Sequence, residues 1–219
     1  MKKLCSTVIV AVPLVLSGCG TLNSALMDEK TNREMFHVVD IKTDAGIDTI
    51  TGPTVDGLGK NVNDLTENYP IPPQEVPKEP GRFTVEDPFE GTNMSALAKM
   101  SGGMGPKTVE CDGAVWTGKA IRDVDTAITQ VNACLWQYQG GYHLDFYMAI
   151  REQDVNFVQA MVASGVEAAL GSPEEWANQI VLDTTEAIAS EVEGAQIALV
   201  QGRPELDKEV PWMSQQLNR

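Results

Sequence analysis

The sequence predicts an α+β fold: an antiparallel sheet with a two-residue-turn hairpin, helices packed on one of its faces, and an extended, Pro-rich N-terminal arm. Three observations predict it. Two runs rich in β-branched and aromatic residues, 131–139 and 142–151, flank Gly140-Gly141. Two segments further on carry apolar residues at spacings of three and four. Six of the twelve prolines fall between Pro70 and Pro88, where they remove amide donors and forbid both a helix and a central strand.

In chain order, residues 20–34 are polar and aperiodic and read as a tether. Residues 35–43 (MFHVVDIKT) have the content of a strand. A helix is possible over residues 45–57, weakened by Gly52, Pro53 and Gly57. The segment 70–88 reads as a polyproline-like spacer, with a docking ligand for a partner groove as the other reading. Residues 35–107 together read as a partly extended, Gly/Pro-rich arm, residues 108–201 as the α+β domain, and residues 202–219 as a polar tail.

Within that domain residues 114–122 read as a strand, followed by the hairpin. Both glycines of Gly140-Gly141 can take positive φ, which predicts a primed two-residue turn. Gln139 would then face Tyr142, Leu135 would oppose Phe146, and Val131 would oppose Ile150 on one apolar face. The other face would set Trp136 opposite Asp145, Tyr138 opposite His143, and Cys134 opposite Tyr147. Val155, Val158, Val162, Val166 and Ala169 predict one helix, and Trp176, Ile180, Thr184, Ile188 and Val192 a second. Ser172-Pro173-Glu174-Glu175 supplies a capping box with proline at the first helical position. Residues 195–201 read as a last strand or a frayed helix end.

The first 19 residues carry an address. Lys2 and Lys3 precede a short apolar run, which ends in Leu16-Ser17-Gly18-Cys19. This resembles the lipobox of bacterial lipoproteins. The resemblance implies a signal peptide over residues 1–18 and a lipidated tether over 19–34. It also implies membrane attachment through acyl chains on Cys19, where several chains on one residue anchor stably. Gly20 in place of Asp implies sorting to the outer membrane, with the body facing the periplasm. Removing residues 1–18 takes away two lysines and no acid, which moves the net charge from −15 to −17. Anionic head groups repel such a chain, and nucleic acid offers it no electrostatic attraction.

With Cys5 in the signal and Cys19 lipidated, Cys111 and Cys134 remain. An oxidising compartment favours a structural disulfide between them over a metal site, and no C-x-x-C supports a redox pair. Such a bridge closes a loop of about 24 residues and stabilises by roughly 3 kcal/mol.

Catalytic signals are sparse. His143 and Asp145 share one strand face and are residue types of two members of a hydrolytic triad, yet no nucleophile elbow accompanies them. With Trp136 and Tyr138 opposite, the four residues form a candidate small-ligand face. Residues 102–108 (GGMGPKT) depart from a phosphate loop at Pro106. Asp40, Asp44 and Asp48 lack the order of a calcium loop, and Met94, Met100 and Met104 lack histidine for a copper site. No motif for a cofactor or metal is present in the sequence. The layout of residues 108–200, a hairpin followed by two helices and an edge strand, resembles the PsbP-like fold and its DcrB-type lipoproteins. That resemblance implies a non-enzymatic accessory or assembly role through a protein partner. A small-ligand-binding lipoprotein is the alternative, and a hydrolase a third reading.

Overall fold

Seven strands form the main sheet in the order β2-β5-β6-β7-β1-β8-β9. They are β1 (Asn32–Lys42), β2 (Leu65–Asn68), β5 (Trp116–Val124), β6 (Ala127–Tyr138), β7 (Gly141–Glu152), β8 (Gln196–Arg203) and β9 (Met213–Gln215). All neighbours pair antiparallel except β8 and β9. A separate two-stranded sheet joins β3 (Thr84–Glu86) to β4 (Thr108–Glu110). Two helices, α1 (Ile47–Gly59) and α2 (Pro173–Glu191), pack on each other and on the sheet core. The expected α+β class is therefore the observed one. These elements come from a computed structural model, which describes residues 32–62, 64–86, 90–93, 107–124, 127–152, 172–206 and 209–215. The signal segment, Cys19 and the tether to residue 31 lie outside the described residues, as do Met94, Met100, Met104, residues 102–106 and the helix expected over 155–169.

The core forms where strand alternation meets the helices. Met35, Val39 and Ile41 of β1, Val131, Ala133 and Leu135 of β6, and Leu144, Phe146 and Met148 of β7 all point to the helix side and are buried. Ile180, Val181 and Ile188 of α2 close over them. Ser172 caps α2 by accepting from the Glu175 amide at 3.2 Å, while Glu175 accepts from the Ser172 amide at 2.8 Å. The capping box is present as expected.

Three sequence expectations are corrected. First, residues 35–107 are not an arm outside the domain. β1 lies between β7 and β8, and β2 pairs with β5. The pattern of residues 35–43 announces a strand, but its partner strand starts about 100 residues later, beyond the reach of local reasoning. Second, the tail contributes: β8 runs to Arg203 and β9 adds to it in parallel.

Third, the hairpin register slides by two residues. Tyr138 pairs with Gly141, Leu135 with Leu144, Ala133 with Phe146 and Val131 with Met148. The turn runs through Gln139 and Gly140, and only Gly141 has positive φ, at 133°. Its lack of a side chain serves strand packing: a Cβ there would meet the Ile41 carbonyl oxygen at 2.1 Å. A slip of two keeps every side chain on its expected face, whereas a slip of one would have exchanged the faces. The cross-strand partners do change, so that Trp136 faces His143 and Cys134 faces Asp145.

Candidate functional site

The face of the sheet away from the helices carries the four residues singled out from the sequence. Trp136, Tyr138, His143 and Asp145 share it and are nearly or fully buried. Trp136 and Asp145 are covered by the chain's own Pro-rich segment. It leaves β2 at Asn68 and crosses the hairpin as a strap. The Gln139 amide donates to the Pro77 carbonyl at 2.8 Å. The Gly81 backbone rests on the Trp136 indole so closely that a Cβ would stand 2.3 Å from the ring. The segment expected to be a spacer is thus part of the domain between these contacts. The four residues meet a filled surface instead of an open ligand pocket.

Arg82 fastens the strap. Its Nε donates to Asp145 Oδ2 at 2.8 Å, and a terminal nitrogen reaches Gln201 Oε1 at 3.4 Å. Asp145 is fully buried. Burial pushes its pKa up to about 6, outweighing the opposing pull of the Arg82 guanidinium and the Phe83 amide. The disulfide side of the face is tied down as well. Cys111 and Cys134 are joined, with Cα atoms 6.0 Å apart, and the Trp136 indole donates to the Asp112 carbonyl at 2.8 Å.

A second polar cluster sits at the hairpin end. The Tyr138 hydroxyl donates to Asp40 Oδ1 at 2.6 Å, and Lys42 Nζ lies 3.1 Å from Asp40 Oδ2. Lys42 also bonds the Tyr138 hydroxyl and stands 4.7 Å from the ring centroid. His143 Nε2 lies 3.7 Å from Asp40 Oδ1, and its ring meets Tyr138 edge-on at 5.8 Å. Burial pushes the His143 pKa down. No His143–Asp145 hydrogen bond occurs among the described residues: His143 looks to Asp40, and Asp145 to Arg82. Asp40 and Lys42 escaped the sequence reading as site residues, because only the pairing of β1 with β7 brings them here. Asp44 and Asp48 are exposed while Asp40 is buried. Among the described residues no three His, Cys, Asp or Glu side chains converge as metal ligands.

Beside the strap the face opens into a groove of about 300 Å³. Phe36 and Tyr147 line it from β1 and β7, Arg82 and Phe83 from the strap, and Glu34 and Arg203 from β1 and β8. Phe83 stands between the other two rings, with centroids 6.4 Å from Phe36 and 5.6 Å from Tyr147.

The outer side of the strap is apolar in places. Ile71 is 94% exposed, Tyr69 60% and Val76 43%. Comparison with protein-family models finds no matching family, and comparison with curated proteins finds no similar sequence.

Proposed function

We propose that the chain is a lipid-anchored protein of the bacterial envelope, attached through Cys19 to the outer membrane and facing the periplasm. On this reading it acts without catalysis, as an accessory or assembly factor that binds an envelope protein. The observation that supports it is Ile71, almost wholly exposed within Pro70-Ile71-Pro72-Pro73 on a strap held at both ends. An exposed isoleucine gains roughly 1.5–3 kcal/mol when a partner covers it. Prolines and the two fixed ends have already removed most of the strap's conformational freedom, so docking orders little more of it. A preformed extended Pro-rich segment of this kind suits an aromatic-lined groove on a partner. The lipobox residues support the anchor.

The test has two parts. Metabolic palmitate labelling and outer-membrane fractionation of the wild-type chain should both be lost in Cys19→Ser. Co-purification of a stoichiometric envelope protein should be lost in Ile71→Asp with the melting temperature unchanged. A wild-type protein that purifies alone from crosslinked cells contradicts the binding role, and an unlabelled Cys19 contradicts the anchor.

A further inference from the structure

The groove beside the strap has a composition that selects for one ligand chemistry. Three aromatic rings, Phe36, Phe83 and Tyr147, are grouped within 6.4 Å of their neighbours. The electron-rich faces of such a group attract an ammonium, above all an alkylated one that sheds water easily. Tyr147 is 4% exposed, and its hydroxyl lies beside the Glu34 carboxylate.

The charges are arranged to match. Glu34 precedes Phe36 by two positions on β1, about 6.6 Å along the strand, and Arg203 of β8 lies directly opposite Phe36, about 5 Å away. Both are exposed, and no salt bridge within 4 Å joins them among the described residues. Arg82 at the other wall already has Asp145 as a counter-ion. The groove thus offers one carboxylate and one guanidinium with a ring between them, and no net charge to favour a simple cation or anion.

We propose that this groove binds a small zwitterion, an alkylammonium linked by a short chain to an acidic group, of the phosphocholine type. The ammonium rests among the three rings on the Glu34 side, and the acidic group meets Arg203. The same chemistry is found in free solutes and in phospholipid head groups. The site is separate from the exposed strap residues proposed to bind protein, so it does not depend on that role.

The experiment is a calorimetric titration of the full chain, held in a sugar-based detergent, with phosphocholine. Saturable binding with Kd below about 1 mM is expected. Arg203→Gln and Phe83→Leu should each weaken it by about tenfold or more. Glu34→Gln should weaken both phosphocholine and tetramethylammonium, whereas Arg203→Gln should leave tetramethylammonium unaffected. Flotation of the mature chain carrying Cys19→Ser, which has no acyl anchor of its own, with phosphatidylcholine vesicles separates the sources. Vesicle binding that free phosphocholine displaces assigns the head group, and binding of the free solute alone assigns a solute. Absence of saturable binding by the folded wild-type chain overturns the proposal. So does vesicle binding that phosphocholine cannot displace, or binding that Arg203→Gln and Phe83→Leu leave unchanged.

Discussion

Arg82 Nε stands 2.8 Å from the fully buried Oδ2 of Asp145, and this contact joins the Pro-rich strap to the middle of the sheet. The arginine reaches in from a half-exposed position, while the aspartate has given up its water. Removing the arginine therefore costs more than its own contacts, because it strands a buried carboxylate. Arg82→Met should destabilise by about 1–3 kcal/mol at pH 7.5, the lower half being favoured by the solvent around Arg82. The loss should shrink by pH 4.5, where Asp145 is protonated. Denaturant unfolding at the two pH values measures this, and an equal loss at both would show that the ion pair is not what holds the strap.

Asp145 and His37 should pull the pH dependence of stability in opposite directions. Burial lowers the His37 pKa to about 4, while the ring stays neutral and its Nε2 bonds the Pro204 carbonyl at 2.9 Å. Its stabilising contribution is present above pH 6.5 and is lost as pH falls towards 4, by about 3 kcal/mol. Asp145 has a raised pKa, so its contribution is present below about 3.8 and is lost as pH rises through about 6, again by about 3 kcal/mol. Between pH 7 and 4 the wild type should therefore gain stability relative to Asp145→Asn. It should lose stability relative to His37→Gln. Parallel pH profiles for all three proteins would remove both assignments.

Two glycines of α1 should respond oppositely to alanine. Gly57 lies against α2 so tightly that a Cβ would be 2.4 Å from the Thr184 Cα, whereas nothing lies within 4 Å of a Cβ at Gly59. Gly57→Ala should cost about 1–3 kcal/mol by forcing the helices apart. Gly59→Ala should stabilise by about 0.5 kcal/mol through the helix preference of alanine. Thermal melts of the two variants decide it, and stabilisation by both would mean that the helices do not meet at Gly57.

Reducing the Cys111–Cys134 bond should lower the melting temperature by several degrees, in line with about 3 kcal/mol from closing its loop. The bond fixes the end of β4, whose partner β3 continues directly from the strap. Thiol titration of the native protein is the companion check. Two free thiols, or a melt indifferent to reductant, would contradict it.

These particulars show what was legible in the sequence. The α2 start could be read residue by residue, because a capping box is entirely local. Which hairpin side chains share a face could also be read, since alternation survives a register slip of two. Gly57 and Gly141 were misleading: read as a breaker and a turn residue, they turn out to be points where another backbone passes close by. That kind of constraint belongs to a neighbour distant in sequence and leaves no local trace. The same reason hid Asp40, Lys42 and Arg82 from the candidate site. Each meets Tyr138, His143 or Asp145 from a segment 63 or more residues away. The prolines of the strap correctly excluded helix and central strand, but nothing in them specified that Gly81 would lie on Trp136.

The central claim is that the strap's exposed apolar side chains dock onto a protein of the envelope. A photo-crosslinking amino acid placed at position 71 of the full chain, activated in living cells, tests it most directly. One crosslinked envelope protein, reproducibly identified by mass spectrometry and absent when the same amino acid replaces the exposed Thr66 on β2, is the predicted result. Crosslinks to no protein, or an indiscriminate ladder equal at both positions, would contradict the claim.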